Sequence, residues 1–112
     1  MRKVLLLLII LASSSLSAQL GKAELGDYCG DDHASPSRQI QKGLQALNKG
    51  DYPNAGVYIG AALRQNEADQ HALYLRGEWA MRTGKFPVAE GSWKRLVKRC
   101  PGYKPDLLFF IA

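Results

Sequence analysis

The sequence predicts an all-α chain made of antiparallel helix-turn-helix units stacked on one another. Three observations carry that prediction. The first is a repeat. Gly50-Asp51-Tyr52-Pro53-Asn54-Ala55 returns as Gly84-Lys85-Phe86-Pro87-Val88-Ala89, an offset of 34 residues. The match extends outward at the same offset, pairing Gly43 with Gly77, Ala46 with Ala80 and Leu47 with Met81. A fixed period of this size marks a stacked array with one supersecondary unit per period. The second observation is local. Gly50 and Gly84 each close an apolar-periodic run, where a left-handed C-cap favours glycine. An aromatic follows two residues later, and then a proline at the first turn of a new helix, where its missing N–H does no harm. The third is the period inside each unit, where apolar residues recur at helical spacing.

The chain starts outside this pattern. Arg2 and Lys3 form a basic region, Val4 to Ala12 is unbroken apolar sequence, and Ser13 to Ala18 is small residues apart from Leu16, which is large for the third position before a cut after Ala18. That order predicts a signal peptide over residues 1–18, cut after Ala18 or one residue earlier. The alternative is an uncleaved anchor, but the apolar run falls short of the roughly 20 residues a bilayer needs. The formal charge of the whole chain is +5, and losing Arg2 and Lys3 leaves +3. This modest balance, without any aromatic-basic platform, argues against a nucleic-acid partner. Lys94, Arg95, Lys98 and Arg99 read as a solvated helix face.

Residues 19–35 read as a mobile polar leader punctuated by Gly21, Gly26 and Gly30. Asp31-Asp32-His33 has a superficial metal-ligand look, but zinc sites show a spaced pair of His or Cys ligands elsewhere. No metal, cofactor or catalytic residue is assigned. Ser35 and Pro36 then start helix one, about 36–49, with Ile40, Gly43, Leu44 and Leu47 at helical spacing. Helix two runs over about 53–66, with Ala55, Tyr58, Ile59, Ala62 and Leu63 as its stripe. Asp69 caps helix three over 70–83, with Leu73, Tyr74, Gly77, Ala80 and Met81 on its apolar side. Helix four spans 87–99 with Ala89, Trp93, Leu96, Val97 and Cys100 inward. Pro101-Gly102 ends it, Lys104-Pro105-Asp106 opens a fifth helix, and Leu107 to Ala112 carries it on; composition alone would also suit a β-strand there, but its place in the period favours helix. The two glycines kept mid-helix, Gly43 and Gly77, predict close helix–helix approach. Trp93 is expected to be the central core side chain of the second unit, and Trp79 to lie off the stripe and tolerate change better.

These residues resemble the tetratricopeptide repeat, a family of 34-residue helix-turn-helix units. The family's small first-helix residue falls on Gly43 and Gly77, and its turn glycine on Gly50 and Gly84. The following aromatic falls on Tyr52 and Phe86, the alanine of the second helix on Ala55 and Ala89. The large residue of that helix falls on Ile59 and Trp93, and the closing proline on Pro101. The family's tryptophan and tyrosine of the first helix are missing, with Gln39, Leu73, Ala46 and Ala80 in their places. The resemblance covers residues 36–112, as repeats 36–69 and 70–103 and a partial repeat 104–112. It implies a short right-handed solenoid of about two and a half repeats.

The resemblance also implies that the first helices line a concave groove for a protein or peptide partner. Carried over, the groove candidates are Ile40, Leu44 and Leu47 in the first unit, the last better accounted for as core, and His71, Tyr74, Glu78, Met81 and Arg82 in the second. Ile40, Leu44 and Leu47 have core packing as their alternative. The Lys and Asn clamp that some members use for acidic C-terminal tails is absent, since Ile40 and Leu44 occupy its first-unit positions.

Two cysteines in an exported chain can form one bridge. Antiparallel helices put the start of helix one and the end of helix four on one edge. The tether from Gly30 to Ser35 reaches roughly 20 Å, so a Cys29–Cys100 disulfide is expected, against the alternative of two unpaired thiols. The leading functional expectation is an exported, non-enzymatic protein-interaction module, a scaffold or adaptor of the bacterial periplasm or envelope. The export signal, the repeats and the Cys-Pro-Gly-Tyr turn also resemble the N-terminal repeat segment of OmpA-like envelope and secretion proteins. Two alternatives stand beside it: the front piece of a longer protein of that kind, and a metal-binding or enzymatic role through Asp31, Asp32, His33 or His71. The five large apolar residues Leu107 to Ile111, with no polar cap after them, predict self-association through that end.

Overall fold

The computed structural model of this chain describes residues 21–30 and 35–111. The signal segment and Asp31-Asp32-His33 lie outside the described residues. Those residues form five α-helices and no strand: α1 (Arg38–Lys49), α2 (Tyr52–Gln65), α3 (Gln70–Arg82), α4 (Phe86–Arg99) and α5 (Leu107–Ile111). The all-helical prediction holds, and the helix ends sit within about two residues of those read from the sequence.

Local chemistry explains most of these ends. Helix α1 begins two residues later than expected because Ser37, not Ser35, is the cap. Its hydroxyl accepts from the Ile40 N–H at 3.2 Å, satisfying a donor that the first turn leaves free. Gly50 closes α1 in the left-handed region at φ 79°, as the C-cap position demands. Asp51 caps α2 through the Asn54 N–H, with Pro53 in the first turn. Asp69 caps α3 through the Ala72 N–H at 3.0 Å. Helix α4 has no side-chain cap, and Pro87 in its first turn removes one donor that would need one.

Each helix packs on the next along the chain, and α1 also meets α3. The core runs through all of them, from Ile40 and Leu47 through Ile59 and Leu73 to Trp93, Leu96, Tyr103 and Leu107. Ile40 is wholly buried, so it belongs to the core and not to an open groove. The mid-helix glycines do mark close approach. A Cβ on Gly77 would lie 1.9 Å from Nε1 of Trp93, and one on Gly43 would lie 3.1 Å from Cγ1 of Ile59. The Trp93 indole therefore fills the space left by the missing side chain of Gly77, and it is 3% exposed.

Trp79 is only partly buried, off the core stripe, but it has a packing role of its own. Its ring lies against Gly56, where an added Cβ would stand 3.2 Å from it. Its Nε1 donates to the Tyr52 carbonyl at 2.9 Å, and the Lys85 ammonium sits 4.2 Å from the ring centroid. Trp79 thus joins α3 to α2, between the two repeat units. An apolar stripe calculated for one helix pair does not reveal a side chain that serves the junction between pairs.

Candidate functional site

Four of the proposed groove residues lie on successive turns of one side of α3. Tyr74, Glu78 and Arg82 are linked there. The Tyr74 hydroxyl donates to Glu78 Oε1 at 3.2 Å, and Arg82 Nε pairs with Glu78 Oε2 at 3.4 Å. These steps of four residues place side chains one above the other on a helix. With Met81, Lys104 and Leu107 they line a cavity of about 400 Å³ at the end where α5 begins. Burial pushes the Tyr74 phenol well above its ordinary value, and the Glu78 carboxylate beside it adds to the shift.

The same face is not empty. Residues 21–30, read from sequence as a mobile leader, are seated on it. The Arg82 guanidinium donates to the Gly21 carbonyl at 2.9 Å. Asn48 of α1 makes a reciprocal pair with Ala23: the Ala23 N–H donates to Oδ1 at 2.7 Å, and Nδ2 donates to the Ala23 carbonyl at 3.0 Å. Gln70 of α3 treats Cys29 in the same way, at 2.8 Å and 2.9 Å. Between them the Asp27 N–H donates to the Tyr103 carbonyl at 3.0 Å. The segment runs antiparallel to α3, from Arg82 at one end to Gln70 at the other. Twelve helical steps cover about 18 Å. The eight steps from Gly21 to Cys29 cover a similar length at roughly 2.3 Å each, a stretched chain short of full extension.

Side chains complete the seat. Ala23 is buried and Leu25 packs against the core. The rings of Tyr28 and His71 lie 5.0 Å apart. His71 Nδ1 shares a 2.7 Å hydrogen bond with the Tyr103 hydroxyl. Burial pushes the His71 imidazole below its usual value, against a weaker opposing pull from Asp69. The Tyr103 phenol is pushed well up, again chiefly by burial. A neutral imidazole and a protonated phenol can share that bond with no charge to solvate. At the far end Cys29 is joined to Cys100 by a disulfide, with Cα atoms 5.7 Å apart. The expected bridge is therefore present, and it ties residue 29 to the end of α4.

The proposed groove is thus divided. His71 is covered by Tyr28 and Tyr103, and Arg82 is engaged by Gly21. Ile40 lies in the core, and Leu44 packs against it. Tyr74, Glu78, Met81 and Arg82 remain together around the cavity. Sequence reasoning missed Asn48 and Gln70, the two residues that hold residues 21–30 by their main chain. No spacing rule marks a side-chain amide for that task. Gln70 alone leaves a trace, as a polar residue at the very start of a helix whose first three residues are all buried.

The basic residues of α4 form a separate, exposed face. Lys94 pairs with Glu90 at 2.6 Å, which holds that carboxyl below its usual value by hydrogen bonding and charge. Arg95 donates to the Glu67 carbonyl. Among the described residues, no group of three or more His, Cys, Asp or Glu side chains is placed to hold a metal ion. None of their helices is long and apolar enough to cross a membrane. Comparison with known proteins finds no matching family model, no similar curated protein and no similar solved structure.

Proposed function

We propose that this chain is an exported protein-interaction module of tetratricopeptide-repeat type, a scaffold or adaptor of the bacterial envelope whose α1/α3 face takes an extended peptide. The 34-residue offset supports the repeat reading, together with helices that pack in chain order and an α1 that also meets α3. The observation that carries the binding role is the way Asn48 and Gln70 grip residues 23 and 29. Each side-chain amide satisfies one N–H and one C=O of an extended backbone. Such a contact reads the main chain and not its side chains, so it suits a peptide ligand in general. The adjoining cavity of about 400 Å³, with Tyr74 and Met81 as apolar walls and Glu78, Arg82 and Lys104 as polar ones, has room for a side chain from the same ligand.

A peptide-display library screened against the Gly26→Leu/Cys29→Ser chain, whose own residues 21–30 cannot reseat on the face, tests this role. Enriched sequences are expected to bind saturably and to lose about tenfold in affinity on Gln70→Ala or Asn48→Ala, since each change removes a two-bond contact. No enrichment, or binding that ignores both substitutions, refutes the role. Export is tested separately. The intact mass of the protein recovered from the periplasm is expected to correspond to a start at Ala18 or Gln19, and retention of Met1 there refutes it.

A further inference from the structure

Residues 21–30 are a resident occupant of the α1/α3 face. We propose that their sequence states which peptides the face accepts: a small residue, a glycine three positions on, and an aromatic two beyond that. This is the pattern of Ala23, Gly26 and Tyr28. The inference rests on the reading of this face as a peptide site, and it adds the ligand's chemistry.

Each position has its own reason. Ala23 is 4% exposed and gripped on both sides of its main chain by Asn48. A larger side chain there must force the pair apart. Gly26 is the sharpest filter. A Cβ at that position would lie 2.2 Å from the Tyr103 carbonyl oxygen and 2.8 Å from the Tyr103 ring. The first of these neighbours is backbone and cannot swing aside. Gly21 and Gly30 contrast with it, since both have positive φ and open space around the missing Cβ. Their glycine serves the turn of the chain, whereas that of Gly26 serves close approach. Tyr28 meets the His71 ring, an aromatic contact that a smaller side chain forfeits. Lys22 and Glu24 are exposed and leave their positions free to vary.

The disulfide adds a second tether to an occupant that the main chain already holds beside the face. Cys29 binds the occupant covalently to Cys100. A tethered segment competes at an effective concentration in the millimolar range. A free peptide at micromolar concentration is therefore shut out of the oxidised chain. Entry requires a dithiol reductant to open the bridge by thiol–disulfide exchange, leaving Cys29 and Cys100 as thiols while the reductant becomes the disulfide, and then requires the segment to lift.

The test uses the full mature chain and a fluorescein-labelled synthetic peptide carrying residues 21–30 with serine in place of Cys29, followed by anisotropy, the variants in reducing buffer and the oxidised wild type in non-reducing buffer. In the variant Gly26→Leu/Cys29→Ser the resident segment is unlatched and cannot reseat, and saturable binding is expected. The oxidised wild-type chain is expected to show none. The Ala23→Leu and Gly26→Leu forms of the peptide should bind at least about tenfold more weakly, and the Glu24→Ala form within about threefold. Equal binding of the native and Gly26→Leu peptides overturns the stated pattern while leaving the face a peptide site. Failure of every peptide to bind a variant that keeps its helical circular dichroism overturns the peptide-site reading itself. Binding by the oxidised wild type as tight as by the variant overturns the role of residues 21–30 as occupant. If the double variant loses helicity, Cys29→Ser alone is titrated at higher peptide concentration. There the native peptide must still outcompete its Gly26→Leu form, and equal competition rejects the pattern.

Discussion

Gly77 and Trp93 are one packing unit written in two residues. The indole lies where the side chain of residue 77 would be, with 1.9 Å left for a Cβ. Trp93→Ala empties that site and is expected to cost roughly 3–5 kcal/mol. Gly77→Ala gains about 1 kcal/mol of helix propensity, but it drives the indole out of place at a typical overpacking cost of about 1–3 kcal/mol. The two changes must therefore couple. In a Trp93→Ala background the new methyl finds room, and a double-mutant cycle by chemical denaturation should show coupling of about 1 kcal/mol or more. Gly43→Ala is the control, since its nearest neighbour is a side-chain atom at 3.1 Å, and it should be close to neutral. Additive effects at 77 and 93 would contradict this packing. His71 makes a second prediction at the same scale. Its folded-state value lies below the ordinary 6.5 because of burial, so the unfolded chain binds the proton more readily. The stabilisation is complete above about pH 6.5 and is lost as pH falls toward the folded value. Denaturation midpoints between pH 7.5 and 5.5 should decline in the wild type and flatten in His71→Gln. Equal slopes would remove His71 as the source.

At the scale of elements, the helices and residues 21–30 differ in how they are written. Helices α1 to α4 are legible because their information sits in side chains at fixed intervals: the paired glycines, Pro53 and Pro87 in first turns, Asp69 as a cap. Even the two-residue slip at the start of α1 follows from two serines competing for one role, with Ser37 the one whose hydroxyl reaches the Ile40 N–H. Residues 21–30 lack such marks because the chain is held there mostly by its own N–H and C=O groups, which every sequence carries. Polar composition and three glycines suggest mobility, and only Cys29 hints at attachment. The candidate site is legible to the same degree. Tyr74, Glu78 and Arg82 follow from four-residue spacing on α3. Asn48 and Gln70 become visible only when the segment they grip is in place. Trp79 fails to show for a related reason, since the period describes packing within a unit and its ring serves the joint between units.

At the scale of the whole molecule, the two ends of the helical stack are finished differently. At the α1 side, Asn48 and the buried Ala23 bring polar main chain over the face. At the other end Leu107 of α5 is buried, while Leu108 and Phe109 are 44% and 87% exposed. Phe86 is exposed too, although its equivalent one repeat earlier, Tyr52, is packed against the core. At Tyr52 the backbone also receives the Trp79 indole N–H of α3, whereas Phe86 stands 59% exposed at the start of α4. A repeat unit needs a neighbour or a polar cap to bury its outer face, and exposed apolar surface of this kind marks an interface or an aggregation hazard. The purified chain is therefore expected to self-associate through α5. Burying a phenylalanine side chain contributes roughly 1.5–3 kcal/mol, so Phe109→Lys should weaken association about tenfold to a hundredfold. Val57, which is 64% exposed on α2, is the matched control, and Val57→Lys should leave association unchanged. Sedimentation over a concentration series decides the matter. A wild-type chain that stays monomeric at high concentration, or a Val57→Lys effect equal to that of Phe109→Lys, would show that α5 is not the adhesive end.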